Sequence, residues 1–306
     1  MKILKTLASA MAAALILLTT SCLGDNEGKQ PNSWTASLRP TDNFTAVRDM
    51  KTGNWTSYAG ASISMAYDFD RVAMQLTVAN MQVASDKMLT FSLPFMTYSV
   101  RNDGTLVLDQ TGPFTVTGTN GLTYQISDVY VSLRTPRNAP AIVDINFNIG
   151  SDYKVQVMPV YNYFGGVTEI TYPDEGDVST VGKGHFSTQQ TYYNAALDYK
   201  SRTASLYMFQ PKFADNMPQM LGFIFKDVPF TLSDEGLKFE SDALTPHKIT
   251  SFGADGSVNS QPEPNFNVTD LEGTMRVAKT LSFEFDCKMG EARFSGTPLT
   301  EQPSAN

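Results

Sequence analysis

This chain states one alternating pattern twice, which constrains it to two copies of a single β-sheet domain. Val143, Ile145, Phe147 and Ile149 alternate with Asp144, Asn146 and Asn148; at a constant offset of 138, Leu281, Phe283, Phe285 and Cys287 alternate with Ser282, Glu284 and Asp286. Met74, Leu76 and Val78 return as Ala204, Leu206 and Met208, and Asp68 as Asp198, at an offset of 130. The turn Asn102-Asp103-Gly104 returns as Asp234-Glu235-Gly236, while Asp128 and Arg134 return as Asp270 and Arg276. Offsets that drift while order holds are the mark of a duplicated domain with loop insertions. Period-two alternation puts the apolar set on one face of a strand.

Residues 1–21 read as an address rather than as part of the fold. Lys2 and Lys5 form a positive start, Leu7 to Leu18 an apolar stretch, and Thr19-Thr20-Ser21-Cys22 a lipoprotein cleavage site. The apolar run is too short for a comfortable transmembrane span and reads as a cleaved signal. Thr19 stands where the usual site has Leu, which sits one place early at Leu18. Lipidation of Cys22 makes the membrane a partner, since multiple acyl chains give stable anchoring. Residues 22–32 lack apolar periodicity and read as a tether. Asp25 and Glu27 resemble the acidic export signal of Bacteroidetes surface lipoproteins, so the expected location is the outer membrane, periplasmic or cell-surface face.

Loss of Lys2 and Lys5 leaves 21 basic residues against 31 acidic ones, a net charge of −10. That balance argues against nucleic acid, which requires a basic stripe. With Cys22 committed to lipid, Cys287 stands alone and no disulfide framework exists. Cys287 follows Phe283 and Phe285 on an apolar face and reads as a small buried hydrophobe rather than a reactive thiol.

Turn residues punctuate each half into short strands, the pattern of antiparallel sheet. The first half predicts strands near 61–69, 72–79, 89–93, 96–101, 105–109, 113–117, 122–134, 142–149 and 153–160. The second predicts 192–200, 203–210, 221–226, 228–233, 236–241, 247–252, 266–277, 280–287 and 290–296. A turn of helix is expected near Phe44 to Met50. The expected domains are 33–170 and 183–300, joined by a linker at 171–182 around Pro173-Asp174-Glu175-Gly176-Asp177, with a tail at 301–306. The fold class is all-β: two tandem antiparallel barrels, with a β-sandwich as the fallback.

Each half resembles the calycin-like (lipocalin-like) β-barrel domain of small Bacteroidetes lipoproteins. The resemblance rests on a closing strand–turn–strand, Thr280 to Asp286 followed by Ala292-Arg293-Phe294-Ser295-Gly296, matched in the first half by Ala141 to Ile149 and Tyr153 to Met158. Val228-Pro229-Phe230-Thr231-Leu232 and Leu237-Lys238-Phe239 fit its middle element. The first half lacks the terminal Ser-Gly, and the Gly-x-Trp strand of true lipocalins is missing; Trp34 and Trp55 fall in no predicted strand of that kind. The resemblance implies no catalytic residues.

His185 and His247 are not spaced as metal ligands, so no metal or cofactor is expected. No Gly-x-Ser-x-Gly elbow supports a nucleophilic serine. Asp68 and Asp198 recur, but a strand-end carboxylate accepting backbone hydrogen bonds explains them better than catalysis. Met65, Met74, Met81, Met88 and Met96 crowd the first half and Met208, Met217 and Met220 the second, either as core filling or as the lining of an apolar site. The aromatics Tyr161-Asn162-Tyr163-Phe164 and Tyr192-Tyr193 flank the expected linker and read as interdomain packing rather than a sugar platform. The expectation is a non-enzymatic, lipid-anchored envelope protein binding a small apolar or amphipathic ligand at residues the sequence does not specify. The alternative is an accessory lipoprotein with solid barrels that contacts an outer-membrane protein or a glycan. Cavity volume separates the two.

Overall fold

A computed structural model describes residues 33–299 except 120, 137–139, 173–183, 216, 219 and 255–256. The signal, tether, Cys22 and tail therefore lie outside the described residues. Chain contacts divide the protein into a first unit of 33–136 and 141–160 and a second from Tyr161 onward.

The first unit begins with β1 (Ser33–Leu38), β2 (Asn43–Asp49), β3 (Trp55–Ala59), β4 (Ser62–Asp68), β5 (Ala73–Ala84), β6 (Lys87–Ser92) and β7 (Met96–Thr97). It continues with β8 (Ser99–Val100), β9 (Leu106–Gln110), β10 (Phe114–Thr117), β11 (Thr123–Arg134), β12 (Ile142–Ile149) and β13 (Tyr153–Pro159). The second unit contains β14 (Tyr161–Thr171), β15 (His185–Asp198), β16 (Thr203–Phe209), β17 (Gly222–Ser233) and β18 (Gly236–Leu244). After these come β19 (His247–Phe252), β20 (Val258–Pro262), β21 (Val268–Arg276), β22 (Thr280–Cys287) and β23 (Gly290–Pro298).

In the second unit, β16-β15-β14-β23-β22-β21-β18-β17 form one antiparallel path, and β17 pairs back onto β16. That closes an eight-stranded barrel and removes its edges. The β19–β20 hairpin hangs on β17 through Phe223↔Lys248 and Ile224↔His247. Alternation sends Phe283, Phe285 and Phe294 inward, where they are nearly fully buried. Tyr193 packs on Phe294 and Phe283 with ring centroids 4.0 and 4.8 Å apart, and Phe225 on Phe285 at 5.3 Å. Rings of this size fill the small interior that eight strands leave.

The first unit is two sheets rather than one. One runs β1-β4-β5-β6 with β7 on β5; the other runs β3-β2-β13-β12-β11-β9-β8 with β10 on β11. Both contribute to a single core that includes Ile63, Leu76, Val78, Val131, Ile145 and Phe147. Among the described residues, hydrogen bonds close the strand order in the second unit and not in the first: of the two expected barrels one is closed, and the other copy is a two-sheet unit.

Duplication is written into the backbone as well as the side-chain pattern. Left-handed φ angles at Val72, Asn80 and Asp128 recur at Arg202, Gln210 and Asp270, the positions their repeat offsets demand. Such angles are uncommon for residues other than glycine, so three matched pairs are strong evidence of a common frame. Asp128 and Asp270 each sit in a β-bulge, between Ser127 and Tyr130 and between Thr269 and Glu272.

Several expectations at the chain's start and middle are corrected. Phe44 to Met50 is not helical: Asn43–Asp49 is β2, whose first five residues are all buried, so no alternation marks it. Trp34 lies in β1 and Trp55 opens β3. Thr171 is not the edge of an interdomain linker. Tyr161–Thr171 pairs with β15 from end to end and with β23 from Phe164 onward, placing it in the second unit. The division falls after Val160, and the Pro173-to-Asp177 run of the expected linker lies outside the described residues. Gly165-Gly166 hid this strand, because β14 presents no Cβ there to carry the pattern.

Candidate functional site

Inward residues of the closed barrel fix what its outer wall displays. With Leu237, Phe239, Met275, Leu281, Phe283 and Phe294 inside, the intervening residues must face out. Cross-strand register aligns them in two rows. Lys238, Thr274, Ser282, Ser295 and Val167 stand side by side on five successive strands. One step along, Glu240, Glu272, Glu284, Arg293 and Glu169 form the next row. Short side chains beside long ones leave a concavity of about 550 Å³, lined by residues of both rows.

Electrostatics of this wall are dominated by carboxylates. Glu240, Glu272 and Glu284 are consecutive cross-strand neighbours, an arrangement that is unfavourable by itself. Arg293 bridges to Glu284 at 3.2 Å and also to Glu291. Lys238 pairs with Glu240, whose hydrogen bond holds the Lys238 ammonium above its ordinary pKa. His185 stands 3.7 Å from Glu169. Thr274 and Ser282 exchange a hydroxyl contact of 3.1 Å at the floor. These groups are solvated and suited to reversible recognition of cationic or hydrogen-bonding partners.

The equivalent wall of the first unit is different. Register matches the carboxylate row to Asp109, Tyr130, Asn146, Gln156 and Ala46. The short row matches Val107, Ser132, Asp144, Met158 and Phe44, all of which are buried. The charged, open wall therefore belongs to the second copy and is not a by-product of the repeated fold.

The residues singled out from the sequence fall into structural roles. Asp68 Oδ1 accepts the Arg71 amide at 3.0 Å, and Asp198 Oδ1 accepts the Lys200 amide at 2.9 Å. That hydrogen bond holds the Asp198 carboxyl below the usual range. Each ends its strand and accepts an amide of the following turn, as expected. Arg134 pairs with Asp103 at 3.4 Å and Arg276 with Glu235 at 3.9 Å, the same ion pair in each copy. Met65, Met74, Met81, Met96 and Met208 are buried among core side chains, while Met88 is exposed. Cys287 is half-buried; its thiol donates to the Gly290 carbonyl at 3.2 Å and burial pushes its pKa up. It borders a second concavity of about 370 Å³ with Asp286, Lys288 and Asn267.

His247 pairs in β19 with Ile224, and partial burial lowers its pKa, with Lys226 adding to the effect. Among the described residues, no group of three His, Cys, Asp or Glu side chains is placed to hold a metal. The aromatics expected to bridge domains have roles inside the second unit. Phe164 and Tyr193 pair across β14 and β15 and point into the barrel. Tyr163 and Tyr192 point outward and pack with Tyr207 on a satellite cluster of Phe209, Ile224, Ile249 and Leu299.

No family model matches the sequence. A search of curated proteins likewise found no match.

Proposed function

We propose that this chain is a non-enzymatic accessory protein of the outer membrane, anchored by lipid at Cys22 and built on calycin-like repeats, that engages a basic segment of a partner protein on the outer wall of its second unit. The observation that carries this reading is divergence between equivalent walls. Three stacked glutamates and a concavity appear in one copy, whereas the matching short row in the other is apolar or buried. Lys238 and Arg293 offset Glu240 and Glu284 within the free protein, and a basic partner adds to that relief along the row. The interior gives weaker support for small-molecule uptake, since aromatic rings occupy the barrel and four of the five clustered methionines are core.

A photo-crosslinking residue at Ser295, in cells of the native host, tests this reading. A discrete protein adduct from Ser295, lost when Glu272 and Glu284 are changed to Lys, is expected. The same probe at Thr115, exposed on the first unit, should give none. Absence of any adduct at Ser295 would reject the wall as a contact surface.

One observation favours a second reading, binding of a small amphipathic ligand inside the barrel. Hydroxyls of Thr168, Thr191 and Tyr193 are buried there without a well-formed hydrogen bond, although Thr168 lies near enough to Tyr193 to interact weakly. Such groups ordinarily find a partner. Native mass spectrometry of the protein from its own host decides: a retained small molecule supports this reading, and the mass of the lipidated chain alone supports the first.

A further inference from the structure

The strand ends of the first unit differ in what they expose. Ser33, where the described chain begins, pairs with Asp68; Asp68 pairs with Ala73, and Ala73 with Thr97. One end of the unit therefore gathers the start of β1, the β4–β5 turn and the segment around β8. Aromatic rings cluster there: Trp34 and Phe69 flank Tyr67 with centroids 5.1 and 6.4 Å away, and Tyr98 meets Tyr67 edge-on at 5.8 Å. Beside this cluster, Phe69, Val72 and Val100 are 43%, 45% and 58% exposed. Asp68 pairs with Arg71 and Asp103 with Arg134, each at 3.4 Å, and with Asp70 and Arg101 also at this end the acids and bases balance.

We infer that this end docks on the lipid bilayer, with Phe69, Val72 and Val100 entering the interface and Trp34 beside them. The inference rests on the anchoring reading, because it takes Cys22 as the point of attachment. Eleven residue steps from Cys22 to Ser33 reach at most about 40 Å. That is roughly the length of the twelve-residue strand β5, so the lipid reaches the opposite end only with the tether fully stretched along the unit, whereas the end at Ser33 meets the membrane with the tether slack. Aromatic and apolar side chains on a neutral rim are suited to the boundary between headgroups and acyl chains. The opposite end exposes Met50, Met88 and Leu122, but it lies a strand length further from the lipid.

The two tryptophans are natural reporters, since Trp34 is at the docking end and Trp55 pairs with Arg48 near the other. Lipidated protein would be placed on phosphatidylcholine vesicles whose acyl chains are brominated near the headgroup. With Trp55→Phe, loss of most Trp34 emission is expected; with Trp34→Phe, Trp55 should keep its emission. Adding Phe69→Ser, Val72→Ser and Val100→Ser should restore Trp34 emission while the protein still sediments with vesicles. Unquenched Trp34 on vesicle-bound protein would overturn the docking and leave anchoring intact. Quenching of Trp55 instead would place the wrong end at the bilayer and overturn it too. Protein that stays off the vesicles would overturn anchoring and docking together.

Discussion

The two units run the same ring of strands, yet one closes and the other parts, and the difference traces to three residues. In the second unit Phe164 pairs with Tyr193 and Gly166 with Thr191, leaving one residue between. At the equivalent place in the first unit, Leu38 pairs with Ile63 and Asn43 meets Ala61, leaving the four residues Arg39 to Asp42. The extra length breaks what is β14 in the second copy into β1 and β2. Its partner breaks at the same level into β3 and β4, at Gly60-Ala61. Asn43 spans the break: its side-chain amide donates to the Arg39 and Ala61 carbonyls at 2.7 and 2.9 Å and its oxygen accepts the Ala61 amide at 3.1 Å. Strands that switch sheets at a bend are a known way to turn a corner.

A second corner shows how little is needed. Leu93 N donates to Leu76 O and Met96 pairs with Met74, with Pro94-Phe95 between. The second copy has Phe225 on Leu206 and Val228 on Ala204, with Lys226-Asp227 between. Spacing is the same, but Pro94 offers no amide to the ladder. Beyond it the frames agree again: Tyr98 N bonds Val72 O as Phe230 N bonds Arg202 O. Insertion parts the ring at one corner, and proline only thins it at the other.

Substitutions can break or sharpen this contrast. The largest effect is expected inside the closed barrel, where Phe283→Ala should cost ~3–5 kcal/mol while Glu284→Ala stays within about 0.5 kcal/mol; chemical denaturation measures both. Gly166→Ala attacks closure itself, since a Cβ there would lie 2.1 Å from the Ser295 carbonyl. A loss of about 3 kcal/mol is expected, larger than most overpacking changes because backbone must move. Asn43→Ala removes the clamp at the corner and should cost about 2–3 kcal/mol by stranding buried backbone groups. Leu76→Trp, in the first unit's core, should lower stability by ~1–3 kcal/mol, and neither the parent nor the variant is expected to take up an apolar fluorophore.

The smallest effect is the pH dependence of the turns. Hydrogen bonds from Thr52 and Lys51 amides hold the Asp49 carboxyl low, as Thr105 does for Asp103 and the Lys200 amide for Asp198. A carboxyl with a lowered folded pKa stabilises above its unfolded value and loses that contribution as pH falls. Thermal melting should be flat above roughly pH 5 and decline below about pH 4.

Legibility in the sequence followed the alternation. β12, β22 and most hairpins were readable because one face is buried and the other wet, as Phe283 and Glu284 show. Strands at the seam were not. β2 is buried on both faces and β14 carries two glycines, so neither shows period two, and the boundary expected after residue 170 falls ten residues late in consequence. Asp68 and Asp198 were readable as strand-end carboxylates because turn formers follow them. The charged wall was not, since its residues come from five strands and only register brings Glu240, Glu272 and Glu284 into line.

Amide hydrogen exchange, resolved by residue, tests the common ring most directly. Along β14, alternate amides bond to β15 and β23, so slow exchange at nearly every position from Phe164 to Ile170 is the expected result. Along β1, which pairs with β4 alone, only the amides facing β4 should be slow and the intervening ones fast. Uniform protection along β1, or the half-protected pattern along β14, would contradict closure of the second unit and opening of the first.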